Sequence, residues 1–394
     1  MKKTIKDLDI KNKRVIIRCD LNVPIKDGTI LDDNRIRESL ETINYALDNN
    51  AKVIILSHLG RVKSEDDKKG KSLLPVAERL SELLNKEVKF IKDTRSNYLT
   101  NEVNNMKEKD IILIENTRFE DVNGSLESKN NEELAKYWAS LGDVFINDAF
   151  GTLHRAHASN VGIASILPSA VGFLVEKELV MLDTCVNVKD RPFVVIMGGA
   201  KVHDKINVID SLIKKADYLI AGGGIANTFL KAKGYDLKKS LVDLESIDYC
   251  KDLLNKYSDK IILPVDGYSS SEYMDGLEVI YNDLDNIKDN QMVLDVGPKS
   301  IENFKPILEK AKLVFLNGPL GVSEFKNFEY GTKELLKILN DINSKVVIGG
   351  GDSAAAAIRF GYKNSFDHIS TGGGASLELI EGKELPGIKV IENK

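Results

Sequence analysis

The sequence predicts an α/β protein with two domains, each a parallel β-sheet flanked by helices. Three observations carry this. Short apolar, β-branched runs alternate with longer helical stretches, the pattern of a parallel sheet covered on both faces. The alternation stops near residue 172 and restarts near residue 193. And 394 residues are more than one domain commonly holds.

In the first half, Arg14–Asp20, Val53–Leu56, Ile111–Ile114 and Val144–Ile146 read as strands, with helices over Arg35–Asn49, Leu74–Leu84 and Glu132–Ser140. Pro168 to Gly172 punctuates, and Phe173–Val186 reads as a connecting helix. Strands are expected at Phe193–Met197, Tyr218–Ile220, Ile261–Asp266, Met292–Val296, Leu313–Asn317 and Val346–Gly349. The boundary is placed so that residues 1–172 form the first domain and 173–381, including the connecting helix, the second; the tail 382–394 follows the last helical run.

Composition narrows the function. The net charge of -5 argues against a general binder of nucleic acid or of membrane surfaces. The cysteines Cys19, Cys185 and Cys250 are scattered, with no C-x-x-C pair, which fits a reducing cytoplasm and no zinc or disulfide framework. Residues 1–14 lack the apolar core of a signal peptide, and no apolar run reaches membrane-spanning length.

Open parallel sheets bind ligands beyond the carboxyl ends of their strands, so the residues there matter most. In the first half these ends carry Arg18, Asp20 and Asn22, with Arg35 after a Lys26-Asp27-Gly28 turn; Ser57-His58-Leu59-Gly60-Arg61; Glu115-Asn116-Thr117-Arg118-Phe119; and Asn147-Asp148-Ala149-Phe150-Gly151 running on to Arg155. Arg35, His58, Arg61, Arg118 and Arg155 would form a cup for a small polyanion, because guanidinium forks match carboxylate and phosphate oxygens. Any one such loop is more simply read as ordinary surface charge; four together are not.

The second half uses glycine instead. Gly198-Gly199, Gly222-Gly223-Gly224 and Gly349-Gly350-Gly351 each follow an expected strand, and Gly372-Gly373-Gly374 closes the series after Ser370-Thr371. Bare turns let a phosphate approach backbone amides at a helix start. Asp352 beside such a turn points to a divalent cation, since Mg²⁺ is commonly held by one or two carboxylates plus substrate phosphates. Lys201 and Lys205, four apart at an expected helix start, oppose the helix dipole, which points to a bound anion between them. Glu324 could accept hydrogen bonds from a ribose, or could simply open a helix. His203 and His368 are assigned no role. The dinucleotide fingerprint is incomplete, with Asn227 and Ala354 at the sixth positions of the two candidate G-x-G-x-x-G stretches; the alanine form keeps a nicotinamide enzyme in play. The Walker A pattern is absent. A magnesium-nucleotide enzyme, a dehydrogenase and a noncatalytic phosphate-binding module are the three classes that remain. Turnover and NADH binding would separate them.

Taken together, the motifs resemble one family. Arg18-Cys19-Asp20-Leu21-Asn22-Val23-Pro24, Leu56 to Arg61, Glu115 to Phe119, Asp148 to His157, Gly198 to Ile206, Gly222 to Leu230, Asn317 to Gly321, Gly349 to Ser353 and His368 to Leu377 run in the order found in phosphoglycerate kinases, over nearly the whole chain. The resemblance implies two Rossmann-like domains joined by a helix, the tail 382–394 packing back on the first. It implies reversible phosphoryl transfer from 1,3-bisphosphoglycerate to MgADP, giving 3-phosphoglycerate and MgATP, after hinge closure, by a cytoplasmic monomer of glycolysis and gluconeogenesis.

By motif, Asp20, Asn22, Arg35, His58, Arg61, Arg118 and Arg155 bind the phosphoglycerate. Lys201, Lys205, Gly222, Gly223, Asn317, Pro319, Glu324, Gly350, Gly351, Asp352 and Ser353 handle the nucleotide, with Asp352 on the magnesium. Arg35, Lys201, Gly351 and Gly373 stabilise the group in transfer. The chain departs from the family wording at Leu316 and Ser323, where aromatics are usual, and in the loop Glu120–Lys129.

Overall fold

The computed structural model describes residues 1–394. The chain divides into two compact units, Met1–Val180 with Glu384–Lys394, and Met181–Lys383. The division falls inside the helix Phe173–Val186, eight residues beyond the boundary expected from sequence. No helix is long and apolar enough to cross a membrane.

In the first unit, β1 (Arg14–Cys19) leads to a short hairpin, β2 (Ile25–Lys26) and β3 (Thr29–Ile30), which sequence periodicity did not reveal. Then come β4 (Lys52–Leu56), β5 (Lys89–Ile91), β6 (Ile111–Ile114), β7 (Val144–Asp148) and β8 (Ser169–Val171). Six of these form one sheet, in the order β5-β6-β4-β1-β7-β8, with every pairing parallel. Central β1 is buried from Val15 to Cys19, as expected of a strand covered on both faces.

The covering helices follow from their spacing. In Asn34–Asp48 the buried residues Ile36, Ser39, Thr42, Ile43, Ala46 and Leu47 recur every three or four positions and share one face. This face packs on Val15, Ile17, Val53 and Ile55. Leu74–Leu84 starts at Pro75 and stops at Asn85, which takes the left-handed conformation at φ 48°. Asn131 caps Glu132–Ser140 by accepting from the Leu134 N–H.

The helix Phe173–Val186 is tied to this unit at its start. Phe173 N–H donates to Thr42 Oγ1 at 2.9 Å and Val175 N–H to Asp148 Oδ1 at 3.2 Å. A Cβ on Gly172 would lie 2.3 Å from the Asp148 carboxyl, so only glycine allows this approach. The tail Glu384–Lys394 lies on the same unit, where Gly387 N–H donates to Leu153 O and Lys3 pairs with Glu392.

In the second unit the strands are β9 (Phe193–Met197), β10 (Tyr218–Ala221), β11 (Ile261–Ile262), β12 (Asp266–Ser270), β13 (Ile280–Asp283), β14 (Met292–Val296), β15 (Leu313–Asn317), β16 (Lys345–Gly349) and β17 (His368–Ile369). The parallel sheet runs β11-β10-β9-β15-β16-β17. Alternate residues Val194, Ile196, Val314, Leu316, Val346 and Ile348 share one core with Phe304, Leu335 and Leu336.

Two expectations are corrected here. Ile261–Asp266 is not one strand: it breaks around Pro264, which has no N–H for a central ladder. Met292–Val296 does not join the parallel sheet. It pairs antiparallel with β12, which also pairs with β13, in a separate three-stranded sheet. Its apolar character alone could not say which sheet it would enter.

Candidate functional site

In the first unit the ends of β6, β4, β1 and β7 are consecutive in the sheet. The turns after them therefore stand side by side, although they come from residues 20 to 155. Each is held by hydrogen bonds the motif residues do not themselves reveal. Asn116 accepts from the N–H groups of Leu59 and Arg118, both at 3.1 Å, and donates to Leu59 O and Lys71 O. It thereby joins the His58 turn to the Arg118 turn. Ser57 Oγ accepts from Leu21 N–H at 2.9 Å, and Asn22 Oδ1 accepts from Gly60 N–H at 2.8 Å, joining the β1 and β4 turns.

The cations are positioned by acids. Arg35 Nη1 donates to Asp20 Oδ2 at 2.8 Å. Arg118 Nη1 donates to Asp121 Oδ2 at 2.8 Å and also meets Ser128 Oγ. These pairs fix the guanidinium planes and leave their remaining N–H groups available. His58 is held neutral. Burial and the charges of Arg18, Arg118 and Arg35, with His157 beside them, put its pKa well below the ordinary imidazole value. His157 is pushed down to about 3 for the same reasons, with Arg155 adding to the field.

Arg155 is exposed, its Nε donating to His154 Nε2 at 3.0 Å, and it joins the cluster from the His157 side. Arg61 is exposed at the edge of the β4 turn. The structure therefore gathers Asp20, Arg35, His58 and Arg118 tightly and Arg155 more loosely. Arg61 is placed only through its turn.

In the second unit the glycine turns after β10, β9, β15, β16 and β17 again follow consecutive strands. Their glycines do two different jobs. A Cβ on Gly198 would lie 1.9 Å from Pro319 O, one on Gly222 2.5 Å from the Leu320 side chain, and one on Gly224 2.1 Å from Ala200 O. Those glycines let turn pack on turn. Gly351 and Gly373 differ: a Cβ there would meet no atom within 4 Å, so their backbone faces open space that a ligand can enter.

The cap of the helix Gly351–Arg359 is Gly350, at φ 90°, with Asp352 and Ser353 in the first turn. Asp352 is exposed there. Ser353 Oγ is buried and accepts from Gly318 N–H. Asn317 Nδ2 donates to Gly349 O at 2.9 Å, while its buried Oδ1 has no partner.

Of the paired lysines, only Lys201 departs from the expected helix start. Lys201 precedes a single turn of 3-10 helix, His203–Lys205, and the α-helix Ile206–Ile213 begins only after it. Lys201 thus stands a turn before the α-helix, whereas Lys205 is the N-cap residue of that helix, where a cation opposes the dipole. Lys205 Nζ donates to Gly198 O at 2.7 Å and Asn317 O at 3.2 Å. Burial lowers its pKa to about 8, with Asp352 and Asp204 opposing the shift. Lys201, Glu324 and Asp352 are exposed, and Gly222 and Asn317 buried. Pro319 and Gly223 line the turns between. His203, given no role, bonds Asp243 Oδ2 at 2.9 Å. Leu316 lies in the sheet core, and the Ser323 carbonyl accepts from Arg359.

No cluster of three or more His, Cys, Asp or Glu side chains could hold a cation by itself. The single carboxylate of Asp352, beside the open backbone of Gly351, suits a magnesium ion that arrives with phosphate oxygens as its other ligands.

The family described as Phosphoglycerate kinase matches residues 5–383. The phosphoglycerate kinases of Enterococcus faecalis and Fusobacterium nucleatum are each 55% identical, over 395 and 398 aligned residues that cover 100% of both chains. Among solved structures, phosphoglycerate kinase from Coxiella burnetii superposes with a TM-score of 0.89 at 38% identity, covering 99% of this chain and 98% of that one. The Pyrococcus horikoshii enzyme gives 0.85 at 35% identity, with the same coverage. A family match across nearly all of the chain, and full-length relatives at this identity, carry one conclusion: the chain belongs to the phosphoglycerate kinase family.

Proposed function

We propose that the two sets of residues divide the family's reaction between them. That reaction is reversible phosphoryl transfer from the acyl phosphate of 1,3-bisphosphoglycerate to ADP, giving 3-phosphoglycerate and ATP, a step of glycolysis. Asp20, Asn22, Arg35, His58, Arg61, Arg118 and Arg155 bind the phosphoglycerate. Lys201, Lys205, Gly222, Gly223, Asn317, Pro319, Glu324 and Gly350 to Ser353 bind the nucleotide, and Asp352 holds its magnesium. The ion, when bound, neutralises phosphate charge. The observation that carries this division is the contrast between acid-braced arginines on one set of strand ends and ligand-open glycine backbone on the other.

An acyl phosphate is already activated, so the protein needs neither a nucleophile nor a strong base. It must align donor and acceptor and offset the charge on the phosphoryl oxygens. Arg35, Lys201 and the backbone amides near Gly351 and Gly373 supply that charge compensation. Because the groups belong to separate units, transfer requires the units to close on each other and exclude water. The same assignment has the enzyme act as a cytoplasmic monomer on small molecules, without nucleic acid or membrane.

The test is a coupled assay in which 3-phosphoglycerate and MgATP are supplied and the acyl phosphate formed is consumed by an NADH-linked reduction. Turnover that needs both substrates and magnesium is expected. MgADP binding without turnover would reduce the chain to a binding module, and NADH binding by the chain itself would favour a dehydrogenase.

A further inference from the structure

Behind the cup lies a buried charge chain to which none of the assigned roles extends. Arg18, at the end of β1, is only 1% exposed. Its Nε donates to Ser159 Oγ at 2.9 Å, its Nη1 to the Cys19 carbonyl, and its Nη2 lies 3.1 Å from His58 Nδ1. Ser159 in turn donates twice to Glu127, once through its hydroxyl and once through its N–H at 2.9 Å. Glu127 is fully buried. It comes from the loop Glu120–Lys129, the stretch whose wording departs from the family's.

A guanidinium has five N–H donors and no acceptor. Its bond to His58 therefore requires a lone pair on Nδ1, which places the imidazole proton on Nε2. We infer that Arg18, itself held by Ser159 and Glu127, is a positioning residue that locks His58 as the neutral Nε2–H tautomer and so aims one fixed donor from His58 at the phosphoglycerate. The groups facing His58 agree in sign: Arg18, Arg35 and Arg118 oppose its protonation, as does His157. Glu127 offsets Arg18 from the far side, so the guanidinium is not left as an isolated buried charge. The inference rests on the placement of His58 in the substrate cup proposed above.

The tautomer can be read directly. The chain has five histidines, so nitrogen-15 labelling of the imidazoles resolves each one. In the full-length enzyme without substrate, His58 should show a bare Nδ1 and a protonated Nε2 from pH 5.5 to 8. A proton on Nδ1 overturns the role of Arg18 and leaves the cup itself standing.

The second measurement uses the double variant Arg18→Met/Glu127→Gln, which removes both buried charges together. Its KM for 3-phosphoglycerate should rise about tenfold at pH 8, the loss of one charge-free donor being about this size, with kcat changed less than threefold. The ratio of variant to wild-type KM should then shrink as pH falls, because losing the Arg18 charge makes the freed histidine easier to protonate and protonation restores its Nε2–H. Loss of packing alone would give a ratio independent of pH, and that result overturns the inference. If the double variant does not fold, the wild-type tautomer decides the matter.

Discussion

The two units carry their proposed anion-binding groups at the same place, the carboxyl ends of consecutive parallel strands, but from different materials. In the first, the groups proposed to bind are long cationic side chains, and carboxylates pin them: Asp20 on Arg35, Asp121 on Arg118. In the second, the proposed binding group is backbone at glycine turns, and the half-buried cation Lys205 is pinned by carbonyls. Side chains reach a ligand but lose rotamer freedom when they do, which acid partners partly prepay. Backbone at a turn is rigid already, but only where every neighbouring turn lets it approach. The first unit can therefore lose one group and keep its fold. Much of the second unit's glycine cannot change without moving the fold itself.

The largest expected effect tests the first half of that contrast. Arg35→Ala should lower kcat by about 100- to 1000-fold, the usual scale for removing one charge-stabilising donor from a transition state, and leave the fold intact by circular dichroism. Arg118→Ala should act mainly on KM for 3-phosphoglycerate, raising it by about 10- to 100-fold. Steady-state kinetics of the pair decide between roles, and wild-type turnover in Arg35→Ala would remove it from the catalytic set.

The second half is tested by two glycines of one unit. Gly198→Ala drives a Cβ into Pro319 O at 1.9 Å and should cost about 2–3 kcal/mol of stability. Gly351→Ala meets no neighbour, so the melting temperature should hold while MgADP affinity, by calorimetry, falls about tenfold. Equal melting temperatures for the two variants would erase the distinction between packing and ligand-facing glycines.

Lys205 gives a pH lever peculiar to the second unit. Burial sets its pKa at about 8, so it is charged below that pH and neutral above. KM for the nucleotide should accordingly rise by up to about tenfold between pH 7 and pH 9, and Lys205→Arg should flatten the rise. A profile unchanged in Lys205→Arg would assign the rise to another group.

The smallest effect belongs to the first unit's grip on its helix. Burial raises the Asp148 carboxyl from 3.8 to about 6, against the hydrogen bonds from Thr42, Val175 and Leu174 that pull it down. An acid whose pKa is higher folded than unfolded adds stability when protonated, and that stability is lost as pH rises through about 6. From pH 5.5 to 7.5 the loss should be about 0.8 kcal/mol. It should vanish in Asp148→Asn, as urea unfolding at the two pH values would show. A slope that survives the substitution would place the titration elsewhere.

Much of this was legible beforehand, and particular residues show why. Leu74–Leu84, Glu132–Ser140 and Phe173–Val186 have the bounds expected of them, because caps, proline and apolar spacing are local signals. The polyanion cup could be listed because four strand ends each carried an arginine or histidine. What pins the cup could not. Asn116 looks like any loop asparagine until its side chain is seen to bridge two turns, and Glu127 looks like surface charge until it is found at 0% exposure. The helix-dipole argument fails for Lys201 for the same kind of reason: the helix starts a turn later, with Lys205 as its cap, and the carbonyls that receive Lys205 come from residues as distant as Asn317.

The sequence by itself determined the two alternating α/β units, the family, and the chemical types present at each strand end. All of these depend on residue identity and short-range spacing. Only the tertiary structure decided that Met292–Val296 belongs to an antiparallel sheet and that some glycines face open space while others pack on neighbouring turns. It alone brought the buried Arg18 guanidinium to 3.1 Å from His58 Nδ1. Each of those depends on what lies opposite a residue across the sheet or the turn. That neighbour is brought there by chain closure over tens to hundreds of positions, and no local pattern encodes it.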